Sequence, residues 1–190
     1  MIMQYRFSQK GFSLIELVVV IVVIGLLAVA ALPKFIDVTD EAKKSSIEGV
    51  AGGFATAVLS ARAQWEAEAR PNEQDHHSVN YDGVAFWLTE STSGGQETGF
   101  RDGYPLAVND GGTYPSAITD ESCVELMDNL LQNPPKVGTS TEASQDSSIN
   151  YSAQADSSAN TCTYTQIEGG TTHQFEYALT TGQVRVNLQP

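Results

Sequence analysis

From Phe12 to Leu32 the chain is apolar except at Ser13 and Glu16, and this run restricts the fold more than any other feature. Twenty-one residues of α-helix cover about 30 Å, the hydrocarbon thickness of a bilayer. The run follows a short head, Met1 to Gly11, that carries Arg6 and Lys10 and no acidic residue. Basic residues on that side favour leaving the N-terminus in the cytoplasm. Glu16 is the anomaly. A charged side chain at mid-bilayer costs roughly 2.5–3.5 kcal/mol, less near an interface, so the carboxylate needs a partner or a place at the headgroups. An ordinary secretory signal peptide has a shorter apolar region, about 7–15 residues, followed by small residues at a cleavage site. Here Leu32-Pro33-Lys34-Phe35 follows instead.

The remainder sets further limits. With 190 residues the chain holds one domain and one extension. The formal net charge is −13; of ten basic residues two sit in the head, leaving eight against 23 acidic ones beyond Gly11. That balance excludes nucleic acid as a partner, because phosphate binding needs the opposite sign. Cys123 and Cys162 are the two cysteines, with no C-x-x-C spacing and no histidine cluster nearby. In a domain carried outside the cytoplasm they read as one disulfide. Closing a loop of about 40 residues would stabilise by roughly 3–4 kcal/mol.

Pro33 removes one backbone donor and is expected to kink the helix without ending it. Beyond it Ile47, Val50, Ala51, Phe54, Val58, Ala61 and Trp65 recur every three or four residues, which is a helical apolar face. Arg62 and Glu66 form an i,i+4 pair off that stripe. The helix is therefore expected from Phe12 to about Ala69, its second half lying against a head, with Pro71-Asn72 ending it. Residues 71–119 read as an irregular connector full of turn chemistry such as Ser93-Gly94-Gly95 and Asn109-Asp110-Gly111-Gly112. Thr119 to Gln132 reads as a short helix capped by Thr119 or Asp120. Gly138 to Ala159 has loop composition. The tail alternates as strands do through Cys162, Tyr164 and Ile167, then Phe175, Tyr177 and Leu179, then Val184, Val186 and Leu188, with Thr181-Gly182 as a turn. The expected fold class is α+β, a long N-terminal α-helix packed on a small antiparallel β-sheet head.

Candidate chemistry is sparse. His76-His77 beside Asp75 reads as a solvated loop, and Asn109-Asp110-Gly111-Gly112 lacks the spacing and closing Glu of an EF-hand. His173 reads as a surface strand residue, and Trp65 and Trp87 as core anchors. There is no nucleophile elbow and no Walker A loop. No catalytic residue, metal or cofactor is expected.

Lys10-Gly11-Phe12-Ser13-Leu14-Ile15-Glu16-Leu17 resembles the class III leader of type IV pilins and related pseudopilins. The resemblance implies the type IV pilin fold. It divides the chain into a cleaved leader (1–11), a transmembrane and filament-core helix (12–33), an amphipathic continuation (34–70) and a globular head (71–190). That head would hold an αβ-loop and a surface region bounded by Cys123 and Cys162. It also implies that prepilin peptidase cuts between Gly11 and Phe12 and that Phe12 is then N-methylated. The new cationic terminus would pair with Glu16 of a neighbouring subunit, giving Glu16 a role in assembly register; the alternative is that Glu16 snorkels to the headgroups. Pro33 falls where many members carry a kinking proline. The implied partners are prepilin peptidase, other pilin subunits in a helical filament and the inner-membrane assembly machinery. The implied location is the inner membrane, N-terminus cytoplasmic and head periplasmic, then a cell-surface pilus.

Ala31 to Val38, Gly49 to Ala55, Val79 to Gly83 and Asn129 to Pro135 are similar to pilins of the mannose-sensitive haemagglutinin (MSHA) system. This implies a structural subunit, minor or accessory, of a fimbrium used for surface attachment. The alternatives are a type II secretion pseudopilin, some of which bind calcium in the head, and a membrane-tethered binding module that never polymerises.

Overall fold

The computed structural model describes residues 11–170 and 172–189, apart from the side chains at 33, 35–37 and 169. Arg6, Lys10 and the rest of the head up to residue 10 lie outside the described residues. So does the Pro33 side chain, on which the expected kink rests; the helix assignment runs through that position. In chain order the elements are α1 (Leu14–Ala67), β1 (Asn72–Glu73), β2 (His76–Tyr81), β3 (Val84–Leu88), β4 (Thr92–Ser93), β5 (Gln96–Glu97), β6 (Pro105–Val108), α2 (Asp120–Leu130), β7 (Val137–Thr139), α3 (Ser140–Gln145), β8 (Tyr151–Asp156), β9 (Thr161–Gln166), β10 (Gln174–Ala178) and β11 (Gln183–Asn187). Contacts divide the chain into two compact units, one ending at Lys43 and one spanning Lys44–Pro190.

In the first unit α1 stands with its apolar side chains exposed from Leu14 to Leu32. In the second unit the remainder of α1 buries the predicted stripe: Ile47, Ala51, Phe54, Val58, Ala61 and Trp65 are all inaccessible or nearly so. Phe54 sits among Tyr164, Phe175 and Tyr177 with ring centroids 5.3–5.7 Å away. Tilted and edge-on pairs at this distance add to the large area that aromatic rings bury. Past its last turn the chain leaves the helix through Ala69 and Arg70, both left-handed at φ 63° and 59°. The exit is held by Arg70 on the Glu66 carboxylate at 2.9 Å, and by the Trp65 indole N–H donating to the Pro71 carbonyl at 3.1 Å. Glu66 thus pairs closely with Arg70, while its distance to Arg62 is 4.0 Å.

The head has the α+β architecture expected, built on a five-stranded sheet of order β11-β10-β9-β8-β7 and a four-stranded sheet of order β1-β2-β3-β6. All pairs are antiparallel except β7 with β8. Two stretches differ from expectation. Residues 71–119 are not an irregular connector but carry the second sheet, because their turns are hairpin turns. Asp82 and Gly83 both have positive φ between β2 and β3, as do Gln74 and Asp75 between β1 and β2, the backbone that tight hairpins require. Residues 138–159 are not a loop either. Thr139 opens α3 with a capping box closed by Glu142, and β8 pairs with β7 and β9.

Helix α2 starts where the sequence places it, with the Thr119 hydroxyl accepting the Ser122 N–H. It buries Cys123, Val124, Leu126, Met127 and Leu130. Cys123 and Cys162 form a disulfide that ties α2 to β9. Trp65 and Trp87 are buried, as core anchors should be, but His173 is not a surface residue. It is buried, and its Nδ1 accepts the Gln189 N–H at 3.2 Å, because it stands just before β10 in the same alternation that buries Phe175 and Tyr177.

Candidate processing and assembly site

The first unit presents a 19-residue span, Leu14–Leu32, of mean hydropathy 3.1 and with none of it buried. It is the helix among the described residues that is long and apolar enough to cross a membrane, covering about 28 Å. Gly11, Phe12 and Ser13 precede it without regular structure. A Cβ at Gly11 would meet nothing within 4 Å. No packing in the described chain demands glycine there. Phe12 is 90% exposed.

Glu16 has a partner within its own turn. The Ser13 N–H and the Ser13 hydroxyl each donate to Glu16 Oε2 at 2.8 Å, and the Glu16 N–H donates back to Ser13 Oγ at 3.3 Å. The first helical bond, from the Leu17 N–H to the Ser13 carbonyl, is 3.3 Å long. Ser13 is thus the N-cap and Glu16 the third helical residue of a capping box. Sequence reasoning missed this, although Ser-x-x-Glu before an apolar run is its signature. The carboxylate also lies in the first turn, where the helix dipole favours negative charge. Local hydrogen bonds therefore lower the cost that made Glu16 anomalous before any second subunit is considered.

The other candidate residues do not gather at this end. His76 and His77 lie in β2 rather than in a solvated loop: His76 stacks on Tyr114 with centroids 4.0 Å apart, and His77 packs against Trp65 at 4.7 Å. Asp75 belongs to the β1–β2 turn. At 109–112 the side chains close on their own loop, Asn109 Oδ1 accepting the Gly111 N–H and Asp110 Oδ1 the Gly112 N–H, each at 2.9 Å. Asn109 Nδ2 donates to Glu73 at 2.7 Å. Among the described residues no group of three or more His, Cys, Asp or Glu side chains is placed to hold a metal ion. Burial works to raise the Asp102 carboxyl, yet the Ser91 N–H and hydroxyl, with His77 beside it, hold it below its usual range. Burial, and then the charges of Glu121 and Asp110, raise Glu125; burial and Glu121 raise Asp128.

Residues 6–32 match the family model described as the prokaryotic N-terminal methylation motif. The chain is 44% identical over 55 residues to the type IV narrow pilus major component PilA5 of Thermus thermophilus, covering 29% of this chain and 47% of that protein. It is 43% identical over 63 residues to the fimbrial protein EcpC of Eikenella corrodens, covering 32% and 41%. Against the type IV major pilin protein PilE1 of Neisseria gonorrhoeae it is 48% identical over 50 residues, covering 26% and 30%. The chain thus spans less than half the length of these curated relatives. No solved structure matches it. The likeness to type IV pilins thus covers less than a third of this chain, and the methylation motif lies at its start.

Proposed function

We propose that the chain is a structural subunit of a type IV pilus and not an enzyme. The observation that carries this reading is the match of residues 6–32 to the N-terminal methylation motif, placed directly on an exposed membrane-length helix. Residues 1–11 are the leader, prepilin peptidase cuts between Gly11 and Phe12, and Phe12 becomes the methylated terminus. Before assembly residues 12–33 hold the subunit in the inner membrane, with the leader cytoplasmic and the head, residues 71–190, periplasmic; residues 34–70 continue the helix onto it. After assembly the same apolar surface is buried among copies of itself. Lipid tails are as apolar as the helix, so packing and polar pairing rather than the hydrophobic effect drive that exchange. Glu16 would trade its Ser13 donors for the Phe12 ammonium of a neighbour, a pairing whose main gain is register. The similarity of Ala31 to Val38 and Gly49 to Ala55 to MSHA pilins supports an adhesive, MSHA-like fimbrium, in which the chain takes a minor or accessory place reached through the inner-membrane assembly machinery.

Replacing Glu16 with Lys tests the reading. The variant should stay in the inner membrane and be cleaved, while electron microscopy of sheared surface filaments finds it excluded from them. The mass of the wild-type chain should rise by the leader and fall by one methyl when prepilin peptidase is deleted. Normal incorporation of the variant, or an unchanged mass, would sink it.

A further inference from the structure

A cavity of about 430 Å³ lies in the head and has no part in the assembly reading. It falls within the range of small-molecule sites, about 300–1,000 Å³. Its walls are mostly apolar, from Phe100, Leu106, Tyr114, Ile118 and Leu179, and the hairpin residue Ser93 stands at its edge. Among the described residues no lysine or arginine lines it.

Glu90 decides what such a cavity accepts. Its side chain is about nine-tenths buried and lines the cavity. Oε1 accepts the His77 N–H at 2.8 Å, and His76 Nδ1 lies 3.2 Å from Oε1 and 3.3 Å from Oε2. A carboxylate offers about four acceptor positions, so these contacts leave capacity on a side chain that is itself largely shielded from water. The neighbouring hydroxyls are already committed. Thr89 Oγ1 donates to the Arg101 carbonyl and accepts the Tyr104 N–H. Thr98 Oγ1 donates to the Glu90 carbonyl and accepts the Phe100 N–H. His76 is locked by its stack on Tyr114 at 12° between planes, with Trp87 edge-on to both rings. Burial, and then the charge of Glu90, push the Tyr114 phenol well above its usual range. The same negative field in low dielectric favours a cation.

An anion would face the Glu90 carboxylate with only the His76 imidazole beside it. A sugar would find the Thr89 and Thr98 hydroxyls already held, and Ser93, Ser116 and Asn160 would leave the charge of Glu90 unanswered. An ammonium nitrogen supplies the missing donors, its body covers the apolar walls, and aromatic rings beside it add cation–π attraction. We propose that this cavity binds a small organic ammonium ion with an aromatic or alkyl body, its nitrogen on the Glu90 carboxylate. The site belongs to the head alone and needs no assembled filament, so its test is separate from that of the pilin reading.

The full chain in detergent is titrated calorimetrically with 2-phenylethylammonium, and in parallel with 2-phenylethanol, 3-phenylpropanoate and a methyl hexoside. One saturable site should appear for the ammonium ion, about ten-fold or more tighter than for the alcohol, because a charged hydrogen bond separates them. Glu90→Gln should remove that advantage and leave alcohol binding unchanged, with circular dichroism and melting reporting the fold. Ser116→Trp, at an exposed residue of the cavity wall, should abolish binding of both by filling the space. This arm decides the matter if Glu90→Gln does not fold. No saturation by the ammonium ion, equal or tighter binding of any comparator, or insensitivity to these variants would overturn the proposal.

Discussion

Gly182 turns the chain from β10 into β11 with φ at +71°, and a Cβ there would fall 2.0 Å from Tyr104 Cε1. The ring has little room to yield. Its hydroxyl accepts Arg62 Nη1 at 2.8 Å, the Arg62 guanidinium lies 4.6 Å over its face, and its own N–H is held by Thr89. Gly182→Ala should therefore lose about 2–4 kcal/mol, combining the left-handed penalty for a side chain with overpacking of a fixed ring. Thermal melts should show the drop, and in a Tyr104→Ala background, measured against Tyr104→Ala alone, the same change should cost only the backbone part of it. A variant melting with the wild type would refute the clash. At this scale the proposed processing junction could be put forward from the sequence, whereas the Ser13–Glu16 pairing was missed and the cavity could not be seen. Gly11, Phe12, Ser13 and Glu16 are consecutive or one turn apart, so their chemistry is written locally. Glu90 acquires its meaning from His76, His77, Thr98 and Tyr114, which only the sheet brings together.

Among the elements α3 is instructive because six residues cannot sustain a helix by themselves. Thr139 and Glu142 tie its start, and Asp146 caps its end. The Lys136 ammonium, 2.8 Å from Asp146 Oδ2, and then the Ser148 hydroxyl and N–H hold the Asp146 carboxyl well below the usual range. A folded value depressed in this way means a contribution present above the unfolded value of about 3.9 and lost as pH falls through the folded one. Backbone amides of 139–148 should thus keep their native NMR shifts to a pH below that of free Asp. In Lys136→Met the Asp146 midpoint should move up towards about 3.9. An unmoved midpoint would assign the depression to Ser148 alone. The long helix, α2 and β9 to β11 were readable because each repeats an apolar period over many residues. Strands β2 and β3, as long as β9 to β11, were obscured because their residues do not alternate, and β1 and β6 by short length and by turn residues that looked like connector. The parallel β7–β8 pair depends on a crossover through α3, which composition alone cannot encode, although Thr139-x-x-Glu142 marked its start.

For the second unit as a whole, the question is what keeps α2 on the five-stranded sheet. The Asp120 carboxylate accepts the Ala155 N–H at 2.7 Å, the Tyr164 hydroxyl donates to the Cys123 carbonyl at 2.8 Å, and the Cys123–Cys162 disulfide closes the segment that contains β7, α3 and β8. The first two contacts and the apolar face of α2 persist when the disulfide is opened, so the fold should survive. What changes is the unfolded chain, which regains the freedom of the 39-residue separation, a loss of stability of roughly 3–4 kcal/mol. For a unit of this size that corresponds to a melting temperature lower by roughly 6–16 °C. The Cys123→Ala/Cys162→Ala variant should show that decrease with an unchanged far-ultraviolet spectrum, and wild-type protein under reductant should match it. Loss of the native spectrum at room temperature would mean instead that burial under α2 cannot hold the sheet without the cross-link. An unchanged melting temperature would mean that the unfolded chain already keeps Cys123 and Cys162 close.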